Sequence, residues 1–478
     1  MTYGPTPLWQ RTHVAQQCGV VAIAPTQPAT QTCEGTPLAP SRGMPTPRGL
    51  HPADSASRAF PGRASAKGTP TKPITTVTDA PRRSWSICKV WQSEYPWDVR
   101  AEKIAQALTA AGHRVSLLAR NRTGLPEVEQ LPEATVHRLP RWRWAPTWLD
   151  AAATLPAFFN PRWLRQILRV ARHTRADVIL CRDLPLAVPC ILVAKRLGIP
   201  VVLDMAENYP ALLQASRSAG RSTLGDGFVR NPAAARLIER WVLPRVDGIL
   251  VVVEESRDRL AAMGVPSERI ALVSNTPPRS RLDSPPALHL GGGALRAVYL
   301  GRVEMQRGIG TLLEATALLR AEGVPLALTI YGDGRDLALF RARAEELSLH
   351  PPTVLFRGRV PNEIALAELA EAHVGIIPHW KDELCDTTVP NKLFDYMAAG
   401  LAIVTSDAAP LKRIVEACGC GRVYRERNTA DLARALRELG DPLVRRDAAS
   451  RGRTAVATTY YWERDIERMF ALLDTVVT

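Results

Sequence analysis

No run of this 478-residue chain reaches the ~18 consecutive apolar residues that a membrane-spanning helix requires. A signal peptide is missing too. The only apolar run near the start, Gly19 to Ala24, is shorter than the about 7–15 residues of a secretory core. Metal-site signatures are also lacking. Cys18, Cys33, Cys88, Cys181, Cys190, Cys385, Cys418 and Cys420 form no CxxC pair. Cys418 and Cys420 stand one residue apart with no matching second pair, and a zinc site needs more ligands at better spacing. The cysteines in apolar strand-like runs read as small core residues in a reducing cytoplasm. No Walker loop and no HExxH motif occurs.

What is present is a long, basic, core-forming chain. Apolar residues make up 46% of it, and 478 residues suit two domains plus extras. The formal net charge of +14 suits phosphate-bearing ligands, nucleic acid or an anionic membrane surface. Residues 1–83 are rich in Pro, Thr, Ser, Ala and Gly and carry nine Lys/Arg against three Asp/Glu. Such a segment buries too little apolar surface to order itself, so a disordered tail is expected.

From residue 84 the pattern alternates between strands and helices. Strands are expected at Ser86 to Trp91, Arg114 to Ala119, Asp177 to Cys181, Pro200 to Leu203, Asp247 to Val253 and Ile270 to Val273. Helices fall between them, as over Val99 to Ala111, which Gly112 can close in a left-handed cap. Residues 276–294 hold four prolines and end in a glycine run, a linker by composition. The alternation restarts at Ala297 to Leu300. It runs through strands at Leu326 to Tyr331, Val354 to Phe356, Val374 to Pro378 and Ala402 to Thr405, and a last helical segment starts near Trp462. The reading is α/β, with two doubly wound Rossmann-like domains over 84–275 and 295–455 and a C-terminal helix over 456–478 that crosses back to the first. A ligand is expected in the cleft between them, at the carboxyl ends of the strands.

The densest signal lies between Tyr299 and Asp407. Tyr299-Leu-Gly-Arg-Val303 is followed by Arg307-Gly308-Ile309, then by Tyr331-Gly332-Asp333-Gly334. Further on comes Val389-Pro-Asn-Lys-Leu-Phe-Asp-Tyr-Met-Ala-Ala-Gly-Leu-Ala-Ile-Val-Thr-Ser-Asp407. Together they resemble family 4 glycosyltransferases over most of residues 85–478. The resemblance implies the GT-B fold, a nucleotide-sugar donor, retention of anomeric configuration and no metal or other cofactor. The absence of any Asp-x-Asp agrees, since the other large glycosyltransferase fold binds its diphosphate through such a pair. The catalytic residues it implies are Arg302, Arg307 and Glu207. Arg302 and Arg307 flank a helix start, where two fixed cations suit a diphosphate. The donor contacts implied are Arg302, Arg307, Gly334, Val360, Thr388, Asn391, Lys392 and Asp395, with Asp395 on the ribose. Its acidic partner in the family motif falls on Thr387, with Asp386 adjacent and Glu383 near.

Acceptor contacts are expected from Asp98, Arg100, Asp183 and Glu207, on loops after strands of the first domain. Asp98 reads equally as a helix cap. Residues 138–175 are basic and Trp-rich, with Arg141, Trp142, Arg143, Trp144, Trp148, Phe158, Phe159, Arg162, Trp163, Arg165, Arg169 and Arg172. They suit either an anionic membrane surface or a helix packed on the sheet with its arginines in water. The expectation is a cytoplasmic hexosyltransferase, peripheral at the inner face of the membrane. It would act on a glycan or lipid-linked acceptor, with no nucleic-acid partner. A nucleotide-sugar epimerase of the same fold and a two-lobed binding protein are the alternatives.

Overall fold

The computed structural model describes residues 83–477, apart from Trp97, residues 143–145, Pro156, residues 219–230 and residues 284–292. All but the last residue of the expected tail lies outside that range.

The first sheet has eight strands: β1 (Ser86–Val90), β2 (Arg114–Ala119), β3 (Val128–Gln130), β4 (Thr135–Arg138), β5 (Val178–Arg182), β6 (Val201–Met205), β7 (Gly248–Val251) and β8 (Ile270–Leu272). Their order is β3-β4-β2-β1-β5-β6-β7-β8. Every pairing is parallel except β3 with β4. Strands β3 and β4 were not expected from the sequence, because runs of three and four residues are too short to show a period of two. The second sheet has six parallel strands: β9 (Leu295–Leu300), β10 (Leu326–Tyr331), β11 (Val354–Gly358), β12 (Val374–Ile377), β13 (Ala402–Ser406) and β14 (Gly421–Tyr424). Their order is β11-β10-β9-β12-β13-β14.

Both sheets bury their two faces, so central strands such as β5, β6 and β13 are buried from end to end. In each sheet the strand order reverses at one point, between β1 and β5 and between β9 and β12. Those switch points open crevices at the carboxyl ends of the strands. Gly112 closes helix Val99–Ala110 with φ at +85°, as its place after the helix predicts.

The end of the chain joins the two domains. Helix Pro442–Thr458, which the sequence reading did not separate, packs Ala448 into the second core. Helix Trp462–Val476 crosses back and buries Trp462, Met469, Phe470, Leu472 and Leu473 against Ile87, Val115 and Val178 of the first sheet. Gly248 in β7 permits the close approach, since a Cβ there would stand 3.1 Å from Leu472.

Candidate functional site

A cavity of about 580 Å³ lies between the two domains, a size that suits a small ligand. Its C-terminal wall starts from the switch point between β9 and β12. After β9 the chain makes a short 3-10 turn, Met305–Arg307, then enters helix Ile309–Ala321 through Gly308. Gly308 has φ at +70°, and a Cβ there would fall 1.8 Å from the Pro378 carbonyl oxygen. Only glycine lets this turn lie so close to the end of β12. The Trp380 N–H donates to the Gln306 carbonyl at 3.0 Å and ties the two loops together.

That docking sets Arg307 beside His379. One guanidinium nitrogen lies 3.4 Å from Nδ1 of the ring. On the other side, Lys392 Nζ lies 3.4 Å from Nε2. Lys392 opens helix Lys392–Ala399, and its ammonium sits 4.2 Å from the centre of the Tyr299 ring. All three side chains line the cavity. Burial, then the nearby Lys392 and Arg307, holds His379 well below its ordinary pKa, so the ring is neutral. Burial, then Arg307, also draws Lys392 well below the usual lysine range. Among the described residues neither Arg307 nor Lys392 forms an ion pair with an acid.

Asp395 lies one turn further along the helix and lines the same cavity. Burial pushes its carboxyl up to about 6, against the pull of Arg281 and Lys103. Asn391 stands at the cap position and accepts from Asn275 Nδ2 at 3.0 Å, while its own side chain caps no helical N–H. The helix therefore begins at Lys392, two residues beyond Pro390, and its first turn faces the cleft with Thr388 beside it. Lys103 enters from the first domain. It donates to the Thr276 carbonyl at 2.5 Å and sits 4.1 Å from the Trp462 ring.

The other expected donor residues are placed differently. Arg302 is 73% exposed, with Nε 3.5 Å from Glu304, and is not part of the cavity lining. The two basic side chains that flank His379 in the cavity wall are thus Arg307 and Lys392, where the sequence spacing had paired Arg307 with Arg302. Gly334 packs beneath the Val303 backbone, and a Cβ there would come within 2.2 Å of the Val303 carbonyl. Val360 packs half-buried in the cluster that holds Tyr331 and Leu369. Neither lines the cavity. Thr387 is buried; its hydroxyl donates to Glu383 O at 2.7 Å, and its carbonyl accepts from Ser256 Oγ at 2.6 Å across the domains. Asp386 accepts from Ala409 N at 2.8 Å, and Glu383 pairs with Arg236 at 3.4 Å. No acid from this segment lines the cavity, and Leu384, Cys385 and Thr388 take that wall.

On the N-terminal wall, Asp98 caps helix Val99–Ala110 by accepting from Ala101 N at 2.6 Å, and it also meets Arg182 at 3.3 Å. The cap reading of Asp98 therefore holds, with an ion pair added. Arg100 turns inward, bonding Asp204 through Nε at 2.8 Å and Nη2 at 2.6 Å and the Val273 carbonyl through Nη1 at 2.8 Å. With every branch of the guanidinium engaged, its contact with a ligand is limited to the cavity floor. Asp183 follows β5 with φ at +58°, a strained conformation for a residue with a Cβ, and does not line the cavity, so the expected acceptor contact is not formed there. Its Oδ1 accepts from Ala206 N at 3.1 Å, and burial pushes the carboxyl up to about 7. Glu207 lines the cavity. Burial raises its carboxyl too, while Arg182 and Arg307 draw it back.

His379, Lys103 and Arg281 escaped the sequence reading. His379 had a usable signal, as a titratable residue just past the end of a parallel strand. Lys103 and Arg281 reach the cleft only through the packing of the two domains.

Comparison with known proteins agrees with this geometry. A family described as glycosyl transferase 4-like domain matches residues 98–276, and glycosyl transferases group 1 matches residues 294–441. The 2-deoxystreptamine glucosyltransferase of Streptomyces kanamyceticus is 26% identical over 369 residues, 72% of this chain and 89% of that protein. Among solved structures, sucrose-phosphate synthase from Thermosynechococcus elongatus aligns with a TM-score of 0.63 at 18% identity, covering 82% of this chain and 99% of that one. Anabaena Alr3699/HepE in complex with UDP-glucose aligns at 0.61 and 12% identity, over 82% of this chain and 100% of that one.

Proposed function

Because the chain belongs to the glycosyltransferases that join a glycosyl transferase 4-like domain to a group 1 domain in a GT-B fold, we propose that it moves a hexosyl group from a nucleoside-diphosphate sugar to a hydroxyl of a glycan or lipid-linked glycan, with retention of configuration. The observation that supports this most is the pair Arg307 and Lys392. They come from separate elements, flank His379 past the carboxyl ends of β9 and β12, and among the described residues form no ion pair with an acid. Two such cations beside a helix N-terminus suit a diphosphate. Asp395 accepts from the ribose hydroxyls, and the UDP-glucose bound by the Anabaena protein favours a uridine nucleotide.

Chemistry follows from charge. As the bond from the anomeric carbon to the diphosphate oxygen breaks, its electron pair goes to the diphosphate, where Arg307 and Lys392 stabilise it. The acceptor oxygen bonds to the same face of the sugar, and its proton passes to the departing phosphate oxygen. Glu207, on the opposite wall, orients the acceptor hydroxyl. These protein cations do the work of a bound metal, so transfer proceeds without one.

Transfer assayed in EDTA tests the reading. A charge-assisted hydrogen bond contributes about 1.5–3 kcal/mol. Arg307→Ala and Lys392→Ala should therefore each lower kcat/KM at least about tenfold, and less than additively, because both act on one group. Arg302→Ala, at the exposed rim, should cost less. Strict dependence on manganese or magnesium, or parental rates in folded Arg307→Ala, would overturn the proposal.

A further inference from the structure

His379 is 3% exposed, a polar side chain buried in the wall of the cavity. Its backbone is fixed from both sides. Pro378 lies against the Gly308 turn, and Trp380 is bonded to Gln306. Its two ring nitrogens face Arg307 and Lys392 at 3.4 Å each. A neutral imidazole has one acceptor nitrogen and one N–H, whereas a guanidinium or an ammonium only donates. One of the two contacts is thus a hydrogen bond, and at the other the ring N–H faces a nitrogen that cannot accept it while it carries a charge. Both distances lie at the long edge of hydrogen bonding. A second ring proton would make the crowding worse, and among the described residues the ring has no carboxylate partner to support it. An anion with several oxygens, seated in front of the ring, resolves the conflict by accepting from both cations and from the spare N–H.

We propose that His379 is a positioning residue for the donor diphosphate: a wedge that sets the side-chain nitrogens of Arg307 and Lys392 on opposite edges of one ring so that both face the cavity. The inference rests on the donor site proposed above. The wedge acts on the phosphates alone, so its removal affects a nucleoside diphosphate and spares the nucleoside.

Calorimetric titration of the full chain tests it. UDP, GDP and ADP are compared on the parent protein, and the tightest is carried forward with its nucleoside. His379→Phe keeps a planar ring and loses both nitrogens. It should raise the Kd of the diphosphate about tenfold and leave that of the nucleoside unchanged. His379→Asn retains a polar group on the Arg307 side and His379→Gln one on the Lys392 side, so each should lose only about threefold. Parental diphosphate affinity in all three, or equal weakening of diphosphate and nucleoside, would overturn the inference. If His379→Phe does not fold, the Asn and Gln variants decide on the same criterion. Arg307→Ala separates the two levels of the argument. If it weakens the diphosphate while the His379 variants do not, only the wedge fails. If it too binds like the parent, the donor site itself fails.

Discussion

At the scale of single residues, burial raises the pKa of acids in the cleft. Asp395 is pushed up to about 6, and Glu207 is raised as well. An acid whose pKa is raised is protonated below that value, and a protonated Asp395 loses acceptor capacity toward the ribose hydroxyls proposed as its partners. Binding of an intact nucleotide sugar, whose diester phosphates do not titrate in this range, should therefore weaken as pH falls through about 6. Asp395→Asn keeps one acceptor oxygen and removes the titration. Its Kd should be higher than the parent's at pH 8 and nearly flat between pH 5 and 8. A parental acid limb in that variant would assign the titration to another group. Asp395 was legible in the sequence because its motif places it. His379 belongs to no such motif; its place after a parallel strand was a weaker signal, and its part in the site shows once Arg307 and Lys392 are seen on either side of its ring.

At the scale of elements, one carboxylate ties the first domain together below the cleft. Asp204 at the end of β6 meets Arg100 of helix Val99–Ala110 at 2.6 Å, Arg182 of β5 at 3.4 Å and Lys89 of β1 at 3.9 Å. Arg100 extends the tie to the residue after β8 through the Val273 carbonyl. Burial opposes the charge on Asp204, but Arg100, Arg182 and Lys89 hold its carboxyl well below the usual range. Removing the anion leaves buried cations uncompensated, so Asp204→Asn should cost roughly 3–5 kcal/mol. The contribution is present above the unfolded-state value near 4 and is lost as pH falls below it. The gap in Tm between parent and variant should thus be wide at pH 7 and narrow below about pH 4. A gap that does not change with pH would show that packing, and not charge, holds this junction.

At the scale of the whole molecule, the basic Trp-rich stretch divides between core and water. Helix Pro161–His173 buries Trp163, Ile167, Val170 and Ala171, as the packing reading requires. Arg162, expected on an outer basic face, is drawn in. It pairs with Asp150 at 2.9 Å and lies 4.3 Å from the Trp142 ring. Trp144 falls outside the described residues. Arg165, Arg169 and Arg172 remain exposed, and Phe159 is 69% exposed nearby in sequence. No helix among the described residues is long and apolar enough to cross a membrane. We propose that this outer face meets an anionic bilayer, each arginine contributing about 1 kcal/mol near the surface. Replacing Arg165, Arg169 and Arg172 together by Glu should reduce binding to anionic vesicles by more than tenfold at low salt, with Tm unchanged. Binding that ignores both salt and these substitutions would leave the face a solvated one.

The sequence by itself determined the fold class, the alternation of strands and helices, and the motif helix that carries Lys392 and Asp395. Each of these depends on local periodicity, caps and turn glycines, which a single segment contains. It also placed Arg307 before its glycine turn. The tertiary structure decided which cations meet in the cavity wall, that Arg100 turns inward to Asp204, and that Thr387 faces Ser256 and not the sugar side. It also supplied the short strands β3, β4 and β14, which are formed by pairing with neighbours and have too few residues to show a period. The reason is the same in each case. Where a side chain ends depends on what packs against its element, and those partners lie far away in the chain, as Arg100 and Val273 do.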